Sequence, residues 1–246
     1  DIAGLTEARQ AAEAKNITFV NGVEISVSWR NRTIHIVGLN IDTNHEPLVQ
    51  GLAEVRAGRA QRAENIAAEL DKIGIHGSLE GAYAHVGERR LIGRTHFARF
   101  LVAQGHAKDV KSVFKHYLVK GKPGYTSHQW ATLDDAVEWI QGSGGRAVIA
   151  HPGRYDMGKN VLNDLFEAFC AAGGSAIEVI TPSHTPDQVR RFALHARDRE
   201  LLVSCGSDFH GPGESFCDLG QLPELPELCN PVWHDWPMHN RIPVNA

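Results

Sequence analysis

The sequence predicts an α/β protein built on a parallel sheet or barrel, with a metal site at the sheet's rim. Three observations carry that prediction. Short β-branched and apolar runs are closed by small or turn-forming residues. Stretches of amphipathic helical period fall before or between the later runs, which implies parallel pairing. Five potential metal ligands, Glu24, His35, His151, Asp208 and His210, lie at the ends of those runs or along them. In parallel α/β folds the carboxyl ends of the strands build the site, so a ligand at a strand end reads as functional.

The strand candidates, in order, are residues 17–25, 33–37, 147–152, 176–180 and 201–208. Helices are expected over 46–72, 94–104, 109–119, 132–143 and 185–199. The last two open with capping boxes, Thr132 with Asp135 and Thr185 with Gln188, and the first of these stops at Gly144-Gly145. After Asn40 no strand pattern returns until Ala147, so residues 65–130 read as a small helical insertion capping a barrel formed by 1–64 and 131–246. From Leu222 the prolines 223, 226, 231, 237 and 243 predict a surface wrap without regular structure.

Composition excludes several classes. At 246 residues and 42% hydrophobic content the chain can bury one large core or a core plus a small insertion. No apolar run approaches bilayer length and no signal peptide opens the chain. The four cysteines, 170, 205, 217 and 229, show no C-x-x-C pairing, as in a reduced cytoplasmic protein. No Gly-x-Gly-x-x-Gly, Walker loop or Gly-x-Ser-x-Gly is present, so nucleotide-cofactor and serine-hydrolase readings have no anchor, and no organic cofactor is expected.

Charge is unevenly distributed. Residues 45–130 hold 13 Lys and Arg against 8 Asp and Glu, a balance of +5, which leaves −9 of the net −4 elsewhere. A basic segment beside an acidic, metal-binding body suits a polyanionic substrate. Arg56, Arg59 and Arg62 share one helix face, for which a solvated surface is an equal explanation.

Each ligand has an ordinary explanation when taken alone. Strand alternation turns Glu24 away from Val23 and Ile25, as for any exposed strand carboxylate, and His35 away from Ile34 and Ile36, as for a satisfied core histidine. His151 is different, because a strand-end histidine fixed by Pro152 is costly to bury without a partner. In Ser207-Asp208-Phe209-His210 an oxygen and a nitrogen donor are expected to project to the same side. Mixed imidazole and carboxylate donors favour Mn²⁺, Fe²⁺ or Zn²⁺ over Mg²⁺ alone, and the lack of cysteine ligands argues against structural zinc. His106, His116, His195 and the tail histidines read as solvent-facing.

Gly22-Val-Glu-Ile-Ser26, Ile34-His-Ile-Val-Gly-Leu39, Ile149-Ala-His-Pro-Gly-Arg-Tyr155 and Gly206-Ser-Asp-Phe-His210 resemble successive motifs of the PHP (polymerase and histidinol phosphatase) family of metal-dependent phosphoesterases. Gly93-Arg-Thr-His-Phe-Ala-Arg-Phe-Leu101, Lys120-Gly-Lys-Pro-Gly-Tyr125 and Ser143-Gly-Gly-Arg-Ala147 resemble its RNase AM (TrpH) branch. The resemblance spans about residues 4–220. It implies a distorted (β/α)7 barrel with a trinuclear site, manganese leading with iron and zinc as alternatives. It also implies hydrolysis of 3′,5′-nucleoside bisphosphates and 5′-to-3′ trimming of RNA bearing a 5′-phosphate, with no catalytic residue beyond the metal ligands. By the same resemblance Glu24 bridges two ions, His35 and His151 complete one, Asp208 helps hold the other, and His210 serves the third.

Family members also carry a His-x-His and a Thr-Asp-His ahead of the helix that here begins near Ala3. Neither motif is in this chain, which opens at Asp1, so it is expected to be a piece lacking the first strand, first helix and second strand. Arg94, His96, Lys122 and Arg154 are the candidates for gripping phosphate, and Tyr125 or Trp130 for stacking a base. A small-molecule phosphatase such as a histidinol phosphatase and a non-catalytic RNA-binding module are the rival readings.

Overall fold

A computed structural model describes residues 1–128, 130–211 and 217–236. The chain divides into two compact units, residues 1–51 with 131–246, and residues 52–130.

The first unit holds a five-stranded sheet of order β1-β2-β3-β4-β5. After helix α1 (Leu5–Glu13), β1 (Gly22–Trp29) and β2 (Arg32–Leu39) form an antiparallel hairpin paired from Gly22↔Leu39 to Trp29↔Arg32. Its two turn residues, Arg30 and Asn31, both take left-handed backbone, with φ of 44° and 60°. That is the turn geometry whose twist matches the two strands.

β3 (Arg146–Ile149) runs antiparallel to β2, while β4 (Ala176–Ile180) and β5 (Leu202–Cys205) run parallel to it and to each other. The crossovers are helices α7 (Lys159–Ala171) and α8 (Pro186–Asp198). The sheet is therefore mixed, and the expectation of a wholly parallel sheet holds only for β3, β4 and β5. A two-residue turn can join only antiparallel strands, and that turn also moves the first strand from the expected 17–25 to 22–29.

Helix α6 (Leu133–Gly142) packs on β1, β2 and β3. The contact is close enough that a Cβ on Gly38 would meet Ile140 Cγ1 at 2.8 Å. Both expected capping boxes are present at α6 and α8, and Gly144 takes the left-handed conformation after α6.

Both sheet edges receive one further bridge, which blunts them against foreign pairing. The Ser28 N–H donates to the Ala131 carbonyl at 2.9 Å beside β1. Beside β5, Val203 N–H donates to Asn230 O at 2.9 Å and Val232 N–H to Val203 O at 2.8 Å. The described part of the proline-rich tail has no regular element beyond this bridge. It does more than wrap the surface, however: Val232 is fully buried against Val148 and Ala176, with Trp233 and Trp236 beside it. Pro237 and Pro243 lie outside the described residues.

The second unit is helical. α2 (Glu46–Asp71) begins in the first unit and runs on into the second, followed by α3 (Ser78–Tyr83), α4 (Arg94–Ala103) and α5 (Val110–Val113). The helix expected over 109–119 instead divides into α5 and a π-helical stretch, Phe114–Leu118. Asp109 starts it by accepting the Ser112 N–H at 2.7 Å. Ile66, Leu70, Phe97, Leu101, Val113 and Leu118 form this unit's own buried core. No helix among the described residues is long and apolar enough to cross a membrane.

Candidate metal centre

Strand alternation places the first two candidate ligands. Val23, Ile25, Ile34 and Ile36 are buried, and Glu24 and His35 face the opposite way. Glu24 lies across from Val37, so His35 is its diagonal neighbour on the same face. His35 Nδ1 is 2.8 Å from Glu24 Oε1.

His151 arrives from the end of β3. It is buried and adopts left-handed backbone at φ 31°, ψ 56°, immediately before the 3₁₀ turn Pro152–Arg154. Its Nε2 lies 3.3 Å from the same Glu24 oxygen, and its ring meets that of His35 edge-on at 5.1 Å. Ligand atoms of Glu24, His35 and His151 all lie within 4.8 Å of one another.

A non-glycine residue in that conformation costs on the order of 1–3 kcal/mol and persists only where its surroundings hold it. Three side chains that sequence reasoning missed do so. Glu178, at the centre of β4, accepts the His151 backbone N–H at 2.7 Å. His184 accepts the Gly153 N–H on Nε2 and donates from Nδ1 to Val179 O, both at 2.9 Å. The Tyr155 hydroxyl accepts the His35 backbone N–H and donates to Ala150 O, again both at 2.9 Å.

Burial alone would raise the Glu24 carboxyl pKa, but hydrogen bonds from His151 and His35 and their charges outweigh it and hold the group below the ordinary carboxylate range. Glu178 goes the other way. Burial, with the Glu24 and Asp208 carboxylates adding to it, pushes its pKa up to about 8 against the opposing His151 N–H. Burial also raises the Tyr155 phenol.

Asp208 and His210 stand outside the triplet. β5 ends at Cys205, three residues short of the expected end, and Gly206 then passes so close to Glu178 that a Cβ would sit 2.3 Å from Oε1. Asp208 takes left-handed backbone at φ 50° and is ion-paired with Arg154. The His210 ring turns back, with Nδ1 2.7 Å from the Asp208 carbonyl and 3.7 Å from its Oδ1.

Of the phosphate-gripping candidates, Arg154 belongs to the sheet unit and the other three to the helical unit. Arg94 opens α4 and stacks over Phe114 at 5.6 Å. His96 Nδ1 accepts the Gly93 N–H at 3.0 Å. Lys122 is exposed in the turn after the π-helical stretch. One histidine departs from expectation: His195 is tucked against Phe166 at 4.2 Å with Nε2 buried and without a partner, because the amphipathic face of α8 turns it inward. His106 and His116 are exposed.

No family model matches the chain. It is 52% identical over 232 residues to a 3′,5′-nucleoside bisphosphate phosphatase from Chromobacterium violaceum, covering 94% of this chain and 81% of the relative. It is 43% identical over 220 residues to the 5′-3′ exoribonuclease Rnm of Escherichia coli, covering 89% and 74%. A solved structure from Bifidobacterium adolescentis, described as a metal-dependent phosphoesterase, superposes with a TM-score of 0.79 at 28% identity, covering 90% of this chain and 78% of that one.

Proposed function

This chain belongs to the PHP family of metal-dependent phosphoesterases and is a phosphoric ester hydrolase, and from that premise we propose that it acts on nucleotides at a site built around Glu24, His35 and His151. Its substrates in this reading are 3′,5′-nucleoside bisphosphates and 5′-phosphorylated RNA trimmed from the 5′ end; the relatives named a 3′,5′-nucleoside bisphosphate phosphatase and a 5′-3′ exoribonuclease support it. The observation that carries it is the convergence of one carboxylate and two imidazoles from three different strands or strand ends within 4.8 Å.

The donor set fits a divalent ion. Mixed oxygen and nitrogen donors suit Mn²⁺, Fe²⁺ or Zn²⁺, and His151 is buried with its Nδ1 unpartnered. Asp208 and His210 are assigned to the same centre, three ions is the expected number, and manganese is the leading metal. Bound ions supply an acidified water and neutralise charge on the phosphate.

The chain's own groups do the rest. Glu24 keeps its carboxylate ionised between two imidazoles. Glu178 and Tyr155 fix the two histidines through their backbones. Arg154 holds Asp208 and presents further guanidinium donors to an entering phosphate. Arg94, His96 and Lys122 are assigned to phosphate recognition, residues 65–130 to a cap, and the sheet to a closed (β/α)7 barrel. The reading places the protein in the cytoplasm.

The test is Mn²⁺-dependent hydrolysis of a short 5′-monophosphorylated RNA, adenosine 3′,5′-bisphosphate and histidinol phosphate side by side. Mononucleotide release from the 5′ end, lost on Asp208→Ala, is the expected result. Turnover of histidinol phosphate alone would make the protein a metabolite phosphatase. RNA binding without turnover of any of the three would make it a binding module.

A further inference from the structure

The sheet unit holds a cavity of about 700 Å³ between α8 and the tail segment 217–228, bounded by residues 180–184 where the chain leaves β4. None of Glu24, His35, His151, Asp208 and His210 lines it. Its walls are aliphatic: Val189 and Leu194 on α8 face Leu222, Pro226 and Leu228 of the tail, and Leu228 is 45% exposed. Apolar surface gathered in a concavity of this size and left open to water matches the sites that take small organic ligands. No Phe, Tyr or Trp lines it. The lining therefore suits a hydrocarbon chain rather than a flat base, which stacks on aromatic rings.

Two charged side chains line the cavity, Arg190 on α8 and Glu224 on the tail, and they are not ion-paired with each other. Arg190 is exposed and makes no hydrogen bond or ion pair among the described residues. It is the better anchor of the two, because a helix fixes its backbone and its planar fork binds a carboxylate bidentately.

His184 forms part of the wall and reaches the turn that carries His151. Its Nε2 accepts the Gly153 N–H, while Gln188 Nε2 donates to the Gly153 carbonyl at 3.1 Å. A Cβ on Gly153 would sit 2.6 Å from His184 Cδ2. The start of α8 thus grips, on both sides, a residue two positions from a metal ligand. Groups that orient a ligand in this way tune the metal it holds.

We propose that this cavity is a second ligand site, which takes an aliphatic carboxylate with its head on Arg190 and transmits its occupancy through His184 to the metal centre. The site itself is independent of the nucleotide reading. Only the coupling rests on His151 being a metal ligand.

Calorimetric titration of decanoate into the protein in excess chelator tests the site, and saturable binding is expected. Octanoate should bind about 15-fold more weakly, at about fourfold for each buried methylene. Arg190→Gln should weaken decanoate about 10-fold, the scale of a lost hydrogen bond between charged groups. Glu224→Gln removes the opposing charge and should tighten it. Val189→Trp fills the cavity and should abolish binding. Thermal melting checks the fold, and the exposed Arg190 carries the test should Val189→Trp melt early. No saturable binding, or an affinity within twofold of the unaltered protein in Arg190→Gln, would overturn the site.

Mn²⁺ titration with and without saturating decanoate reads the coupling. The Mn²⁺ affinity should change by about fivefold or more, and decanoate affinity by the same factor on adding Mn²⁺. Neither change should occur in Val189→Trp. Decanoate binding with Mn²⁺ affinity unmoved would overturn the coupling. Decanoate binding by a protein that takes up no Mn²⁺ would remove the metal reading and the coupling with it, and leave the site standing.

Discussion

The two units handle charge in opposite ways. In the sheet unit the charged groups answer one another: Glu24 lies between His35 and His151, and Asp208 pairs with Arg154. In the helical unit Arg62 and Arg94 have no carboxylate partner among the described residues and share their surroundings with Arg59. A carboxylate held between two imidazoles suits a cation, as the proposed function requires. The contrast is that of a cluster whose charges are matched within itself and a cluster of like charges.

Glu24→Gln should separate the two most sharply. It removes the charge that both imidazoles share, and bisphosphate hydrolysis is expected to fall on the order of 10³-fold, the upper scale for losing a principal electrostatic group. Binding of the bisphosphate in chelator should persist. A kcat within tenfold of the unaltered protein would mean that Glu24 is an ordinary strand carboxylate.

Glu178→Ala is a smaller perturbation, because Glu178 acts through the His151 backbone. Mn²⁺ affinity measured by titration should drop about 10- to 100-fold, as for other groups that orient a ligand. Glu178→Gln should restore most of it, since the amide carbonyl still accepts that N–H. Equal losses in the two variants would assign the effect to charge instead.

Two stability effects lie below these. Thr132→Ala removes the hydroxyl that accepts the Asp135 N–H at 3.1 Å at the start of α6, and should cost about 1 kcal/mol, read as a lower melting temperature. His195 gives an effect confined to acid pH. Burial, with the Arg199 charge adding to it, lowers its pKa from 6.5 to about 4. The unfolded chain therefore binds this proton first, and stability present above pH 6.5 is lost as pH falls towards 4. His195→Leu should flatten the melting profile across that window, and a profile that keeps its slope would place the acid sensitivity elsewhere.

The strands around the centre were legible because alternation there is strict: Glu24 and His35 each sit between buried apolar residues. Strand direction was not, since Arg30-Asn31 makes a left-handed hairpin turn without the glycine that normally marks one. Glu178 was hidden for another reason. All five residues of β4 are buried, so alternation disappears and a carboxylate reads as one letter in an apolar run. A buried acid in a strand covered on both faces was the available signal. The ligand types of the triplet were evident from their chemistry, while the hold that Tyr155 and His184 exert on the turn after β3 depends on contacts between distant segments. The stacking of Arg59 and Arg62 over the Trp130 ring was invisible for the same reason, the partners lying some seventy positions apart.

Diffraction from Mn²⁺-soaked crystals, recorded at the manganese absorption edge, is the most direct measurement. An anomalous peak within about 2.0–2.3 Å of donor atoms of Glu24, His35 and His151 is the result expected. Active protein whose manganese binds elsewhere, with those three side chains still hydrogen-bonded only to each other, would contradict the assignment.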